Sequence, residues 1–376
     1  MWSTFVYWNG EVAPWYMVRI LLVSLLLMGC QSAGALMAPF GTDAPLPTAE
    51  PTAMQMDTLV LNTMLRTIDQ KSKHRLHSLL VMRHGKLVVE RYYNNATRHT
   101  PHDIRSATKS ITSLLVGIAL DEGAIDSVDM PMMEYLRASY PDVVDKDAIT
   151  LRHLLTMQSG LDCDDQDRRT RGQEDRMYRK KDWVAYFLDV EPVEPPGTRT
   201  RYCTGGVVAL GEVLAQATGQ SVVEYADARL FAPLGIENYR WSLYDDGQKV
   251  DTGGHLWITP QGMARIGQLM LQDGMWEGQQ VVPKAWVDVA TQPQTTLDEN
   301  PYGFLWWTSI VPYGKVTVDV KMARGNGGQV IFVVPAYDLV TVMTTTYYNS
   351  DKARIPYQLF FEAILPSVEE LRAEMR

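Results

Sequence analysis

The sequence has no basic tract, no long apolar span and almost no cysteine, and each absence narrows what it can do. Lys and Arg number 35 against 44 Asp and Glu, a net charge of −9. With no basic run or RNA-binding motif, nucleic acid is not an expected partner. No apolar run reaches the roughly 18 residues that a transmembrane helix needs. No Gly-x-Ser-x-Gly segment occurs, which excludes the nucleophile elbow of α/β-hydrolases. Asp-Thr-Gly occurs once, at Asp251–Gly253. An aspartic protease needs two such carboxylates sharing a proton. The seven histidines show no metal-ligand spacing with acids or cysteines, so neither a metal nor another cofactor is expected.

What is present begins at the N-terminus. Ile20–Met28 (ILLVSLLLM) follows Arg19 and precedes Gly29-Cys30. It is the length of a signal-peptide core. Leu27-Met28-Gly29-Cys30 resembles a bacterial lipobox, which implies that Cys30 is lipidated and becomes the mature N-terminus. Met17 offers an alternative start, giving the more typical leader MVRILLVSLLLMGC. Gln31, not Asp, follows the cysteine, and in Gram-negative lipoproteins this implies the outer membrane, facing the periplasm. The expected organisation is a signal peptide with its lipobox cysteine over 1–30, a flexible Ala/Pro/Thr-rich tether over 31–56 and a folded domain over 57–376. The membrane is then a partner through the lipid alone. Cys163 and Cys203 remain, and in an oxidising compartment they are either a disulfide or two buried thiols.

Periodicity predicts a helix over Asp57–Gln70 and a hairpin of Ser78–Arg83 and Lys86–Tyr93 around His84-Gly85. Mostly helical segments follow to Gly235. Thr150 is a candidate N-cap for Ile149–Leu155. Lys181–Leu188, Gly206–Thr218 and Ser221–Leu230 read as further helices. Strands are expected at Tyr302–Ser309, Val316–Met322, Gln329–Val334 and Leu339–Tyr347, then a helix at about 353–364. The order suggests one antiparallel sheet built from both ends of the chain, with a helical block inserted.

Three constellations carry chemistry. In Asp103–Gly123 (DIRSATKSITSLLVGIALDEG), Ile111, Leu114, Leu115 and Ile118 recur at helical spacing. Ser106 and Lys109, three apart, share one face of that helix mouth. The positive end of the helix dipole disfavours a cation, so Lys109 is expected to be pushed toward the neutral amine that can deprotonate Ser106. Tyr202 lies on a loop in Arg201-Tyr202-Cys203-Thr204, where a phenolate steadied by a cation can act as acid or base. The glycines of Arg324-Gly325-Asn326-Gly327-Gly328-Gln329 let backbone approach a ligand, and amides there can face an oxyanion. The mixed-charge run 162–181 reads as a solvated loop that could rim a cleft.

Ser-x-x-Lys, then a tyrosine loop about 100 residues on, then a late glycine-rich turn resembles the serine β-lactamase and penicillin-binding-protein superfamily. The likeness is greatest to the class C β-lactamase branch, which holds family VIII esterases, D-stereospecific peptidases and 6-aminohexanoate-dimer hydrolases. His153–Leu161 (HLLTMQSGL) and Gly253–Pro260 (GGHLWITP) are similar to two further landmarks of that branch. The resemblance implies an α/β (α+β) β-lactamase/transpeptidase-like fold, with an antiparallel sheet flanked by helices and a helical subdomain inserted over about 106–235. It implies that Ser106 forms an acyl-enzyme, that Lys109 and Tyr202 share proton transfer, and that the amides of Ser106 and Gln329 form the oxyanion hole. Thr204, Asn326, Gly327 and Gly328 would bind substrate. Both Cys163 and Cys203 would flank the cleft, which favours their pairing. Thr204 stands where the family usually has Asn and lacks the amide's paired donor and acceptor, and Asn326 stands where it has Lys or His, a neutral side chain that cannot pair with a β-lactam carboxylate; efficient β-lactam hydrolysis is therefore not expected. The expected function is an exported serine hydrolase of an ester, amide or D-amino-acid peptide. The rival is a catalytically weak β-lactam- or peptidoglycan-binding sensor lipoprotein of the same fold.

Overall fold

The computed structural model describes residues 43–71 and 73–375. The leader and Cys30 therefore lie outside the described residues. Helix α1 (Thr58–Asp69) is capped by Asp57, whose carboxylate accepts from the Leu59 and Val60 amides at 2.8 and 3.2 Å. It buries Leu61, Met64, Leu65 and Ile68 on one face. Residues 43–56, expected as part of a flexible tether, are instead packed on the domain. Leu46 and Met56 are buried, Asp43 accepts from the Glu237 and Asn238 amides, and Thr48 bridges to Leu87. Apolar side chains within the Pro/Ala/Thr composition supply that anchorage.

The main sheet has eight strands: β1 (Leu76–Arg83), β2 (Lys86–Tyr92), β3 (Thr295–Leu297), β4 (Asn300–Tyr302), β5 (Trp307–Tyr313), β6 (Val316–Gly325), β7 (Gln329–Val334) and β8 (Leu339–Thr345). Their order is β3-β4-β5-β6-β7-β8-β1-β2, antiparallel throughout. The N-terminal hairpin thus joins the last strand, and the helical block enters between β2 and β3. The expected single strand Tyr302–Ser309 is broken in two. Leu305 takes φ +62° and the Gly303 amide donates to the Trp306 carbonyl at 2.8 Å, which turns the chain between β4 and β5.

Strand β7 is buried along its whole length. Its side chains alternate between faces. Phe332 stacks on Phe360 of the C-terminal helix at 3.9 Å, while Ile331 faces Gly267 of helix Pro260–Leu271 on the other side. Helix α2 (Thr108–Asp121) is central rather than amphipathic, with every residue from Thr108 to Ala119 buried. Two of its polar side chains are matched by carbonyls of other segments: Ser110 donates to Leu305 at 2.7 Å and Thr112 to Thr252 at 2.8 Å, whereas Ser113 Oγ is buried without a partner.

Candidate active site

Ser106 lies in a single 3₁₀ turn, Arg105–Ala107, that runs straight into α2. Arg105, just before it, has φ +52°. Asp103 steadies that backbone, accepting from the Arg105 amide at 2.9 Å and from His255 Nδ1 at 2.8 Å. Lys109 is 1% exposed, and its Nζ donates to Ser106 Oγ at 3.3 Å, Thr204 Oγ1 at 3.0 Å and the Gly253 carbonyl at 2.5 Å. Its nitrogen also sits 4.9 Å from the centre of the Tyr202 ring. Ser106, Lys109 and Tyr202 are therefore brought together from two distant segments.

The charge state of Lys109 departs from the dipole argument. Burial works against its cation, but Tyr202, Glu174, Asp165 and Asp251 outweigh that and hold its pKa above the ordinary value. Three donors meeting three acceptors suit an ammonium, not a free amine. The acids feel the same enclosure. Burial, then the neighbouring Glu174, push Asp165 up to about 7. Burial likewise pushes Asp251 up to about 7.

These acids were not expected in the site. Asp165 and Glu174 come from the run 162–181, which is only partly solvated. Asp165 accepts from the Thr204 amide at 2.7 Å and the Glu174 amide at 2.9 Å, and Glu174 accepts from Thr204 Oγ1 at 2.9 Å and Tyr178 at 3.2 Å. A Cys163–Cys203 disulfide ties this loop to the Tyr202 loop. The one legible signal was a cysteine two residues before Asp165, near acids in an otherwise polar run.

Thr204, expected to touch substrate, is fully buried. It opens helix α3 (Thr204–Thr218), which turns its side chain inward behind Lys109. Gly325–Gly328 line a cavity of about 600 Å³ that opens at Ser106, with Tyr202, Trp307 and Arg324. Asn326 is exposed and its amide pairs with Asn349 at 2.9 Å. Gln329 is buried, and its side chain clamps Thr345, donating to the carbonyl at 2.6 Å and accepting from the amide at 3.0 Å. Its backbone stands opposite Gly325 in the β6–β7 hairpin.

Arg324, two residues before Asn326, is a second addition. Its guanidinium lies 4.4 Å from the Trp307 ring centre and 5.2 Å from that of Tyr357, and Nε donates to Tyr357 Oη at 3.0 Å. The wall facing the acids is thus cationic.

Gly325 sets the spacing of the two halves. A Cβ there would lie 2.1 Å from the Ile104 carbonyl oxygen. Gly325→Ala is expected to destabilise the protein by about 1–3 kcal/mol through overpacking and to slow labelling of Ser106. Urea unfolding and probe labelling check both.

A serine and a lysine on a helix mouth, a tyrosine across from them and a glycine-rich hairpin closing the cleft form a recognisable set. The profile of the beta-lactamase family matches residues 63–361. The chain belongs to the beta-lactamase family. Among related sequences, the 6-aminohexanoate-dimer hydrolase of Paenarthrobacter ureafaciens is 23% identical over 329 residues, covering 82% of this chain and 81% of that protein. The D-aminopeptidase of Brucella anthropi is 26% identical over 202 residues, 49% of this chain and 36% of that one. In fold, the chain is similar to the penicillin-binding protein from Bacillus halodurans, with TM-score 0.60, 18% identity and coverage of 79% of this chain and 98% of the other. It is thus a beta-lactamase-fold protein whose named relatives include hydrolases.

Proposed function

We propose that this beta-lactamase-family protein hydrolyses an amide or ester bond through an acyl-enzyme on Ser106. The observation that carries this is the Lys109 Nζ to Ser106 Oγ hydrogen bond at 3.3 Å, at the floor of an open cavity with Tyr202 in its wall. Ser106 Oγ attacks the acyl carbonyl while its proton passes to the amine of Lys109. Lys109 and Tyr202 then deliver a proton to the leaving group, and water releases the acid by the same route. The Ser106 and Gln329 amides are the proposed oxyanion donors, and Asn326, Gly327 and Gly328 the proposed floor beneath the substrate. The guanidinium of Arg324 supports a substrate bearing a carboxylate, in the role that Asn326 cannot fill. The named relatives are a 6-aminohexanoate-dimer hydrolase and a D-aminopeptidase, which favours a small amide or D-peptide. The disulfide supports residence in an oxidising compartment, in keeping with a Cys30 lipid anchor on the periplasmic side of the outer membrane.

Intact mass after exposure to a fluorophosphonate tests the reading. One phosphonyl adduct is expected on the wild type and none on Ser106→Ala. An unlabelled wild type would leave the binding-sensor reading in its place.

A further inference from the structure

The proposed reaction needs Lys109 as a free amine, yet the site holds it as an ammonium. Removing that proton to bulk water is difficult from a lysine 1% exposed. The structure offers a shorter path. Lys109 Nζ donates to Thr204 Oγ1 at 3.0 Å, and the same hydroxyl donates onward to Glu174 Oε2 at 2.9 Å. The two bonds run in one direction, from cation to carboxylate. Glu174 also lines the cavity beside Ser106.

We propose that Thr204 and Glu174 form a proton relay that frees the Lys109 amine for attack by Ser106. They are positioning residues, acting through Lys109 and not on substrate. The inference rests on the acyl-enzyme reading of Ser106.

The transfer balances. Lys109 gives one proton to Thr204 Oγ1 as Thr204 passes its own to Glu174, so ammonium and carboxylate become amine and carboxylic acid. Rotation about Cε–Nζ turns the lone pair toward Ser106, 3.3 Å away. As the Oγ–carbon bond forms, Lys109 takes the serine proton and then yields it to the leaving group. Lys109 repeats this with the hydrolytic water, returning that proton to Ser106 as the acid leaves. The relay then runs backward and restores ammonium and carboxylate. No outside acid or base is consumed.

A hydroxyl is what makes this possible. It accepts one proton while releasing another, whereas an asparagine amide in its place donates without passing a proton on. The departure at Thr204 from the family's usual asparagine thus coincides with a carboxylate at hydrogen-bonding distance behind it. Other titratable groups face the pair. Lys109 faces Tyr202 and Glu174 as well as Asp165 and Asp251, with His255 beyond Asp251. Glu174 faces Tyr178 and Asp165.

The test is the second-order rate of Ser106 labelling by a neutral fluorophosphonate, measured from pH 5 to 9 on the full-length protein. Labelling forms the Oγ–P bond, expels fluoride and needs only the first proton transfer. Thr204→Val and Glu174→Gln are each expected to lose at least tenfold at pH 7, a threshold set below the about 10²–10⁴ that positioned proton transfer contributes. Thr204→Ser, which keeps the hydroxyl, is expected to stay within threefold of wild type. In Glu174→Gln the acid limb should move up by a pH unit or more, because the amine now forms only by losing its proton to solvent. A carboxylate that merely stabilised the ammonium would give the opposite sign, with the limb moving down and the rate at pH 7 preserved or raised. That sign, or a loss smaller than tenfold in either variant, overturns the relay. Should Thr204→Val fail to fold by circular dichroism, the limb shift in Glu174→Gln decides alone. An unlabelled wild type refutes the Ser106 reading itself, and the relay with it.

Discussion

Lys109→Met is expected to slow acylation of Ser106 by about 10³-fold and to make folding stability fall steeply with pH. Both effects follow from what surrounds the nitrogen. Its removal leaves Ser106 with no base in hydrogen-bond reach from this helix, and it leaves Asp165, Glu174 and Asp251 without the cation that all three act on. Losing one partner of a buried ionic set costs about 3–5 kcal/mol because the remaining charge is uncompensated. The carboxylates can escape that cost by binding protons. Asp165 and Asp251 already titrate at about 7 in the folded protein, against 3.8 for a free side chain. An acid whose folded pKa is raised contributes stability that is fully present below its unfolded pKa and lost as pH rises through the folded value. In the variant the window opens at about pH 4 and extends beyond 7. Urea unfolding at pH 5 should therefore show a small loss relative to wild type, and at pH 8 the full one. An equal loss at both pH values would assign the effect to packing instead.

The second large effect is expected from Cys163→Ser/Cys203→Ser. The disulfide closes a segment of 40 residues, and chain entropy for a loop of that size gives about 4 kcal/mol. The functional effect has a separate origin. Within this loop the Asp165 amide donates to the Tyr202 carbonyl at 2.7 Å, and the Asp165 carboxylate receives the Thr204 amide. The crosslink thus holds the acidic loop against the tyrosine loop. The double variant is expected to unfold at lower urea, and labelling of Ser106 should slow even where the protein remains folded. A midpoint unchanged by reductant in the wild type would count against the crosslink as a source of stability.

Local spacing made part of this site legible. Ser106 and Lys109 share a helix face because they are three apart, and Tyr202 precedes a helix whose start could be read from its glycines and apolar run. The closing of one sheet from both chain ends was also readable, since alternating strands lie on either side of a helical block. The charge on Lys109 was not. A helix-dipole argument considers one element, and it lost to Tyr202, Glu174, Asp165 and Asp251, which lie 56 to 142 residues further along the chain. Thr204 failed for a related reason. Its motif position is visible, but which way its side chain points is set by packing against Lys109 and Glu174. Arg324 was hidden because two aromatic rings from separate segments, Trp307 and Tyr357, hold its guanidinium at the cavity.

The contact between Gly325 and the Ile104 carbonyl bears on how such a protein can diversify. The nucleophile's turn is registered to the β6–β7 hairpin by main chain against main chain. Side chains on either side of that seam, such as Arg324, Asn326 and Trp307, take no part in the registration. They can be exchanged to suit a new substrate while the serine keeps its place. Selectivity and reactivity are in this way separable heritable traits that meet at a seam containing a glycine.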